Sequence, residues 1–100
     1  MGKHKVVIYK SAQRDLQDIV DYLNNFSVEA AYRYYDLLVE SIASLSEMPK
    51  RCPYAKGVIL KANGYRMLAV ESYLVFYIVQ NDVVQIRRII YGKRQYEDLL

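Results

Sequence analysis

Three features of this 100-residue chain predict an α+β fold. Three β-rich runs follow one another from Tyr65 to Tyr91, joined by Glu71-Ser72 and Gln80-Asn81-Asp82, connections of hairpin length. Two stretches between Ser11 and Met48 repeat apolar residues at helical spacing. A short β-rich run, Lys5 to Lys10, precedes them. Helices grouped together and strands grouped together belong to α+β architectures. The prediction is an N-terminal strand, a two-helix antiparallel hairpin packed on a mostly antiparallel sheet, and a short C-terminal tail.

The elements follow in order. Ser11 is placed to cap a helix through its side-chain oxygen. Ala12, Leu16, Ile19, Val20 and Leu23 then form one apolar stripe, ended by Asn24-Asn25. Ser27 is a second N-cap candidate, with Glu29 suited to the positive helix terminus. Val28, Ala31, Tyr35, Leu38, Ile42 and Leu45 alternate steps of three and four, a seam that lays the second helix along the first. Tyr35 is core by this periodicity, whereas Tyr32 and Tyr34 are left for a partner or for ordinary amphipathic surface. Pro49 stops the helix. Residues 49–64 are loose, with a short strand expected around Val58 to Leu60. Strands are predicted at Tyr65–Val70, Tyr73–Val79 and Val83–Tyr91. The middle run is apolar on both faces, so it should be central and covered on both sides. Gly92 ends the last strand and leaves the tail.

One hundred residues give room for one core, so a single domain over residues 1–100 is expected. The hydrophobic share of 53% excludes a disordered chain. The formal net charge of +3 is unevenly spread. Residues 1–48 carry five Lys and Arg against seven acids, and residues 49–100 carry nine against four. The positive half is what a polyanion-facing surface would need, and it is also what chance asymmetry on a solvated surface would give. The lone Cys52 cannot close an internal disulfide, which fits a reducing cytoplasm. No run approaches the ~18–20 apolar residues of a membrane span, and no signal-peptide pattern precedes Val6. A cytoplasmic protein with no membrane partner is expected.

The chemistry is narrowed mainly by exclusion. His4 is the only histidine, so no Ser–His–Asp or Cys–His set can be built. No zinc-type spacing of Cys and His occurs, nor any phosphate-cradling glycine loop or dinucleotide fingerprint. Asp15, Asp18 and Asp21 repeat at helical spacing, the pattern of a solvated helix face. No metal and no cofactor are called for. Arginines, lysines and tyrosines remain. Such groups suit RNA cleavage by the RNA's own 2′-hydroxyl, which needs a base, cations on the phosphate, and an acid for the leaving oxygen. Guanidinium forks hold phosphate at two points, and tyrosines stack on bases.

Over nearly its whole length the chain resembles the RelE/ParE-superfamily toxins of type II toxin–antitoxin systems. The segment YKSAQRDLQDIVDYL (Tyr9 to Leu23) is similar to the family's opening strand and helix, and EMPKR (Glu47 to Arg51) to its helix end. Gly64-Tyr65-Arg66, then SYLVFYIV, then IRRIIYGKRQYEDLL follow in the family's order. The resemblance implies a toxin neutralised by a cognate antitoxin. The leading expectation is mRNA in the ribosome, cut by a metal-independent endoribonuclease; the alternative is DNA gyrase, inhibited without nuclease chemistry.

For the nuclease branch the resemblance implies catalytic roles for Arg66, Arg94, Tyr91 and Tyr96, with Lys56, Lys61 and Lys93 touching nucleic acid. Gly92-Lys93-Arg94 matches that branch. The long hairpin from Ser11 to Met48 is more like the gyrase branch. The nuclease tyrosine also lies farther beyond its GKR than Tyr96 does, a spacing that falls here on Leu100. Many relatives have histidine at the position of Tyr91. Each residue carries a structural alternative too. Tyr91 and Tyr96 would cap a core with a wet hydroxyl, Lys56 and Lys61 would be solvated loop lysines, and Arg88 would pair with a helix acid such as Asp15.

Overall fold

The structure is a computed structural model and describes residues 3–92 and Leu100. Strand β1 (Lys5–Ile8) leads into helix α1 (Lys10–Asn24), and α2 (Val28–Ala43) runs back beside it. A 3₁₀ turn at Ser44–Ser46 and another at Pro49–Arg51 lead to a short helix, α3 (Val58–Ala62). Strands β2 (Tyr65–Val70), β3 (Tyr73–Gln80) and β4 (Val83–Tyr91) complete a four-stranded sheet of order β1-β4-β3-β2. β2, β3 and β4 pair antiparallel, and β1 pairs parallel to β4. The predicted α+β hairpin-on-sheet architecture is therefore the one observed.

The apolar pattern of β3 accounts for the layers. Its alternate residues Tyr73, Val75 and Tyr77 face the helices and join Ala12, Leu38, Ile42, Leu45, Val84 and Ile86 in one buried cluster. Phe76 points the other way and packs with Ala55, Leu60 and Ile90 in a second cluster, beside Tyr65, Met67, Leu74 and Leu100. The central strand is thus covered on both sides, as its composition predicts. A bulge between Phe76 and Tyr77 leaves Arg87 as the extra residue opposite them on β4, which changes the aim of the side chains beyond it.

Four local expectations are corrected. Val58 to Leu60 forms the start of α3 instead of a strand, because only Leu60 finds a core contact and the residues around it curl to place it there. Ser11 is not the N-cap; α1 begins at Lys10, and the Gln13 side-chain amide donates to the Ile8 carbonyl (2.9 Å). The second helix ends at Ala43, before Pro49, and Arg51 donates to the carbonyls of Ser44, Glu47 and Met48 beyond it. Tyr35 is 44% exposed, and Tyr34 takes the inward position beside Tyr73 instead. Ser27 does cap α2, its hydroxyl accepting from the Ala30 amide at 3.1 Å.

The two hairpin turns use non-glycine residues in the left-handed region, Glu71 at φ 51° and Asn81 at φ 56°. That conformation is uncommon for a side-chain-bearing residue. Glu71 is held there by its carboxylate, which accepts from the Tyr34 hydroxyl at 2.9 Å and from Arg33 at 3.5 Å. Among the described residues no helix is long and apolar enough to cross a membrane.

Candidate functional site

Arg66 lies on β2, next to the sheet edge that residues 53–55 cover. Ala55 N–H donates to the Tyr65 carbonyl and Met67 N–H to the Pro53 carbonyl, with Tyr54 bridged to Arg66. The same edge fixes the guanidinium. Its Nη1 donates to the Cys52 carbonyl at 2.7 Å and to the Lys50 carbonyl at 3.2 Å. The guanidinium carbon stands 4.1 Å from the centre of the Tyr54 ring, within cation–π range. Arg66 is thereby a fastener for the 50–54 segment. Lys56 and Lys61 line, together with Arg66, Tyr54 and Val58, one open depression of about 610 Å³. The structure thus brings Lys56, Lys61 and Arg66 to one place.

Tyr91 lies elsewhere. It pairs with Tyr73 across β3, and Tyr73 pairs with Val70 on β2. Arg66 is four residues back along β2, a backbone separation of roughly 13 Å along the strands, with two strand spacings (about 10 Å) across them. Tyr91 borders a second cleft of about 650 Å³ between the two long helices and the ends of β3 and β4. Tyr22, Tyr34 and Tyr73 also line it, with Asp15, Asp18 and Arg88. The rings of Tyr34 and Tyr91 each meet Tyr73 edge-on, at 5.7 and 5.8 Å. Lys93, Arg94 and Tyr96 lie outside the described residues.

Arg88 has the structural partner that the sequence suggests. Its Nε donates to Asp15 Oδ2 at 2.6 Å and its Nη2 to Oδ1 at 3.0 Å, while the Ile89 amide donates to Oδ2 at 2.8 Å. The bond to Asp15 raises the guanidinium pKa further above its ordinary value, so Arg88 remains charged at any working pH.

The phenols of Tyr73 and Tyr77 hold their protons tightly. Burial, then the neighbouring Tyr34, Tyr91 and Tyr22, pushes the Tyr73 pKa up. Burial, then hydrogen bonding with the Cys52 thiol, does the same for Tyr77, whose hydroxyl donates to the Pro49 carbonyl at 2.6 Å. An unfolded chain releases both protons near pH 10, and the folded chain holds them to higher pH. Their contribution to stability is therefore complete below about pH 10 and declines as pH rises above it. Urea melts at pH 8 and pH 10.5 should show that decline. Replacing Tyr73 by Phe should flatten it, and an unchanged slope would exclude Tyr73 as its source.

Sequence reasoning singled out Arg66, Lys56 and Lys61 but not Tyr54, which Arg66 covers, nor Val58 and Ile59. The last two read as a strand, so nothing marked them as surface. Tyr22 and Tyr73 of the second cleft were equally unmarked, because their convergence depends on how the hairpin lies on the sheet.

The sequence profile described as the ParE toxin of the type II toxin–antitoxin system parDE matches residues 6–96. The chain belongs to this family, and so to the toxins of the RelE/ParE superfamily. Its fold is similar to a chain of the chromosomal ParDE toxin–antitoxin system of P. aeruginosa, at TM-score 0.77 and 21% identity over 91% of this chain and 98% of that one. It is also similar to a chain of the RelBE2 toxin–antitoxin complex of Mycobacterium tuberculosis, at TM-score 0.66 and 18% identity over 89% and 98%. A conserved hypothetical protein of Helicobacter pylori aligns at TM-score 0.54 and 23% identity over 91% and 97%. At these identities the likeness is one of fold. Comparison with curated proteins gives no match.

Proposed function

We propose that this toxin acts in the cytoplasm by binding DNA gyrase and blocking it, without cutting RNA, and that a cognate antitoxin neutralises it. The observation that supports this reading is the state of Arg66. Its Nη1 is committed to the Lys50 and Cys52 carbonyls and its face to Tyr54. Turning Nη1 toward a phosphate would take the donor from one exposed and one part-buried carbonyl, at about 0.5–1.5 kcal/mol for each bond. Tyr91, the other described catalytic candidate, is two strands away. A toxin that works by surface contact needs neither group to move, and the long α1–α2 hairpin offers such a surface.

Purified toxin should inhibit supercoiling by gyrase and leave double-strand breaks, while translated transcripts stay intact during growth arrest. Unaffected supercoiling at saturating toxin would remove this reading. Arg66→Ala should lower stability by about 1–2 kcal/mol and leave inhibition unchanged per folded molecule. Inhibition lost by a folded Arg66→Ala protein would return Arg66 to the functional surface.

A second reading has its own support. Lys56, Lys61 and Arg66 line one depression, and a basic depression suits the mRNA of a ribosome-dependent endoribonuclease. In that reading Arg66 and Arg94 stabilise the phosphate, Tyr91 or Tyr96 assists proton transfer, and Lys93 joins the RNA contact. Cleavage of translated mRNA on induction, insensitive to chelators, would establish it over the gyrase reading.

The antitoxin should be acidic and partly disordered, ordering as it binds. Antitoxins accompany the ParDE and RelBE2 toxins of similar fold.

A further inference from the structure

From Met48 to Val70 the chain contains no Asp or Glu and five cations: Lys50, Arg51, Lys56, Lys61 and Arg66. In the middle of this stretch α3 turns only Leu60 inward. Val58 is left 87% exposed and Ile59 74% exposed. Two adjacent aliphatic side chains in water, flanked by Lys56 and Lys61, form an exposed knob beside the depression over Tyr54 and Arg66. We propose that this α3 knob and its lysine rim dock an acidic segment of the antitoxin, which seats apolar side chains on Val58 and Ile59 and carboxylates on Lys56 and Lys61. The assignment rests on the antitoxin pairing proposed above and adds the surface that carries it.

Charge and side-chain type select the occupant. A stretch with five cations and no acid of its own complements an acidic chain, and apolar anchors inside a charged rim are the usual anatomy of a protein contact. Nucleic acid is a poorer fit, because surfaces for single strands combine cations with free aromatic faces. Here the centre is aliphatic, and one face of Tyr54 is already covered by Arg66. A second copy could offer its acidic hairpin, with Asp18, Asp21 and Glu29. That contact would be head-to-tail between unlike surfaces, which propagates unless the rotation happens to close a ring. A different chain that ends the contact suits a small toxin better.

The test uses the full chain and the purified small protein encoded by the adjacent reading frame. Binding kinetics would be measured for the wild type, for Val58→Ser with Ile59→Ser, and for Lys56→Glu with Lys61→Glu. All four positions are exposed, and thermal melts would confirm that the variants stay folded. The serine pair should weaken binding at least tenfold through faster dissociation. The glutamate pair should slow association several-fold and reduce its dependence on salt. Unchanged kinetics in both variants would overturn the proposal while leaving the pairing intact. Absence of any wild-type binding would remove both. Two further results would overturn it: an RNA or DNA oligonucleotide retained by the wild type and lost from the glutamate pair with antitoxin affinity unchanged, or self-association of the wild type that the serine pair abolishes.

Discussion

Replacing Phe76 by Ala should cost about 3–5 kcal/mol of stability, the range for emptying a phenyl ring from a packed core. Phe76 is fully buried on the sheet face away from the long helices, against Ala55, Leu60 and Ile90. The 53–55 segment is held by two edge hydrogen bonds to β2 and by Arg66 over Tyr54, and α3 by the buried side chain of Leu60. They can relax toward the space left by the ring, which moderates the cavity penalty but also displaces the lysines of the depression. For a domain of this size the loss is a third or more of a typical total of about 5–15 kcal/mol. Urea titration with a far-ultraviolet readout measures it directly. A loss below about 1 kcal/mol would mean that the outer layer contributes little to folding and that the long hairpin alone stabilises the sheet.

The covered outer face was legible because Tyr73–Val79 lacks polar alternation, and a strand apolar on both faces must be buried on both. The bounds of β2 and β4 were legible for a related reason. Two-residue turns leave no slack, so strand ends are fixed by hairpin closure. What covers the outer face was not legible. Val58 to Leu60 is β-branched and apolar, and local propensity favours a strand. The deciding interaction is long-range, the docking of Leu60 beside Phe76. The second helix shows the same limit at Tyr34 and Tyr35. A three-and-four alternation points to Tyr35, yet the helix presents Tyr34 to Tyr73 and Glu71, and the turn at Glu71 that makes this possible is set by the β2–β3 hairpin.

The candidate site divides along the same line. Arg66, Lys56 and Lys61 could be named from residue type and order. That Arg66 fastens the 50–54 segment could not, because its acceptors are main-chain carbonyls, which every residue carries and no sequence marks. The Arg88–Asp15 pair was nameable because both partners are side chains of opposite charge. An arginine in a strand that borders a core needs a counter-charge, and the first helix supplies Asp15 on its sheet-facing side.

Removal of Asp15 tests that pair, and Asp15→Ala should cost about 2–4 kcal/mol. The side chains of Asp15 and Arg88 are only 14% and 27% exposed, so water replaces the lost carboxylate poorly. The loss also reaches the backbone. β1 ends at Ile8, opposite Ile86, and the Ile89 amide beyond that end uses Asp15 Oδ2 as its acceptor. One carboxylate thus closes α1 onto β4, holds a cation and finishes the sheet edge. Arg88→Met should cost less, since Asp15 keeps the Ile89 amide and the side-chain volume is retained. The double variant should be less unstable than the sum of the two single changes, because the guanidinium that has lost its Asp15 partner is then gone. Thermal or urea melts of the four proteins give the coupling. A coupling near zero would show that Asp15 acts mainly as an acceptor for the Ile89 amide. A coupling of roughly 1–3 kcal/mol would show the charge pair itself joining the first helix to the last strand.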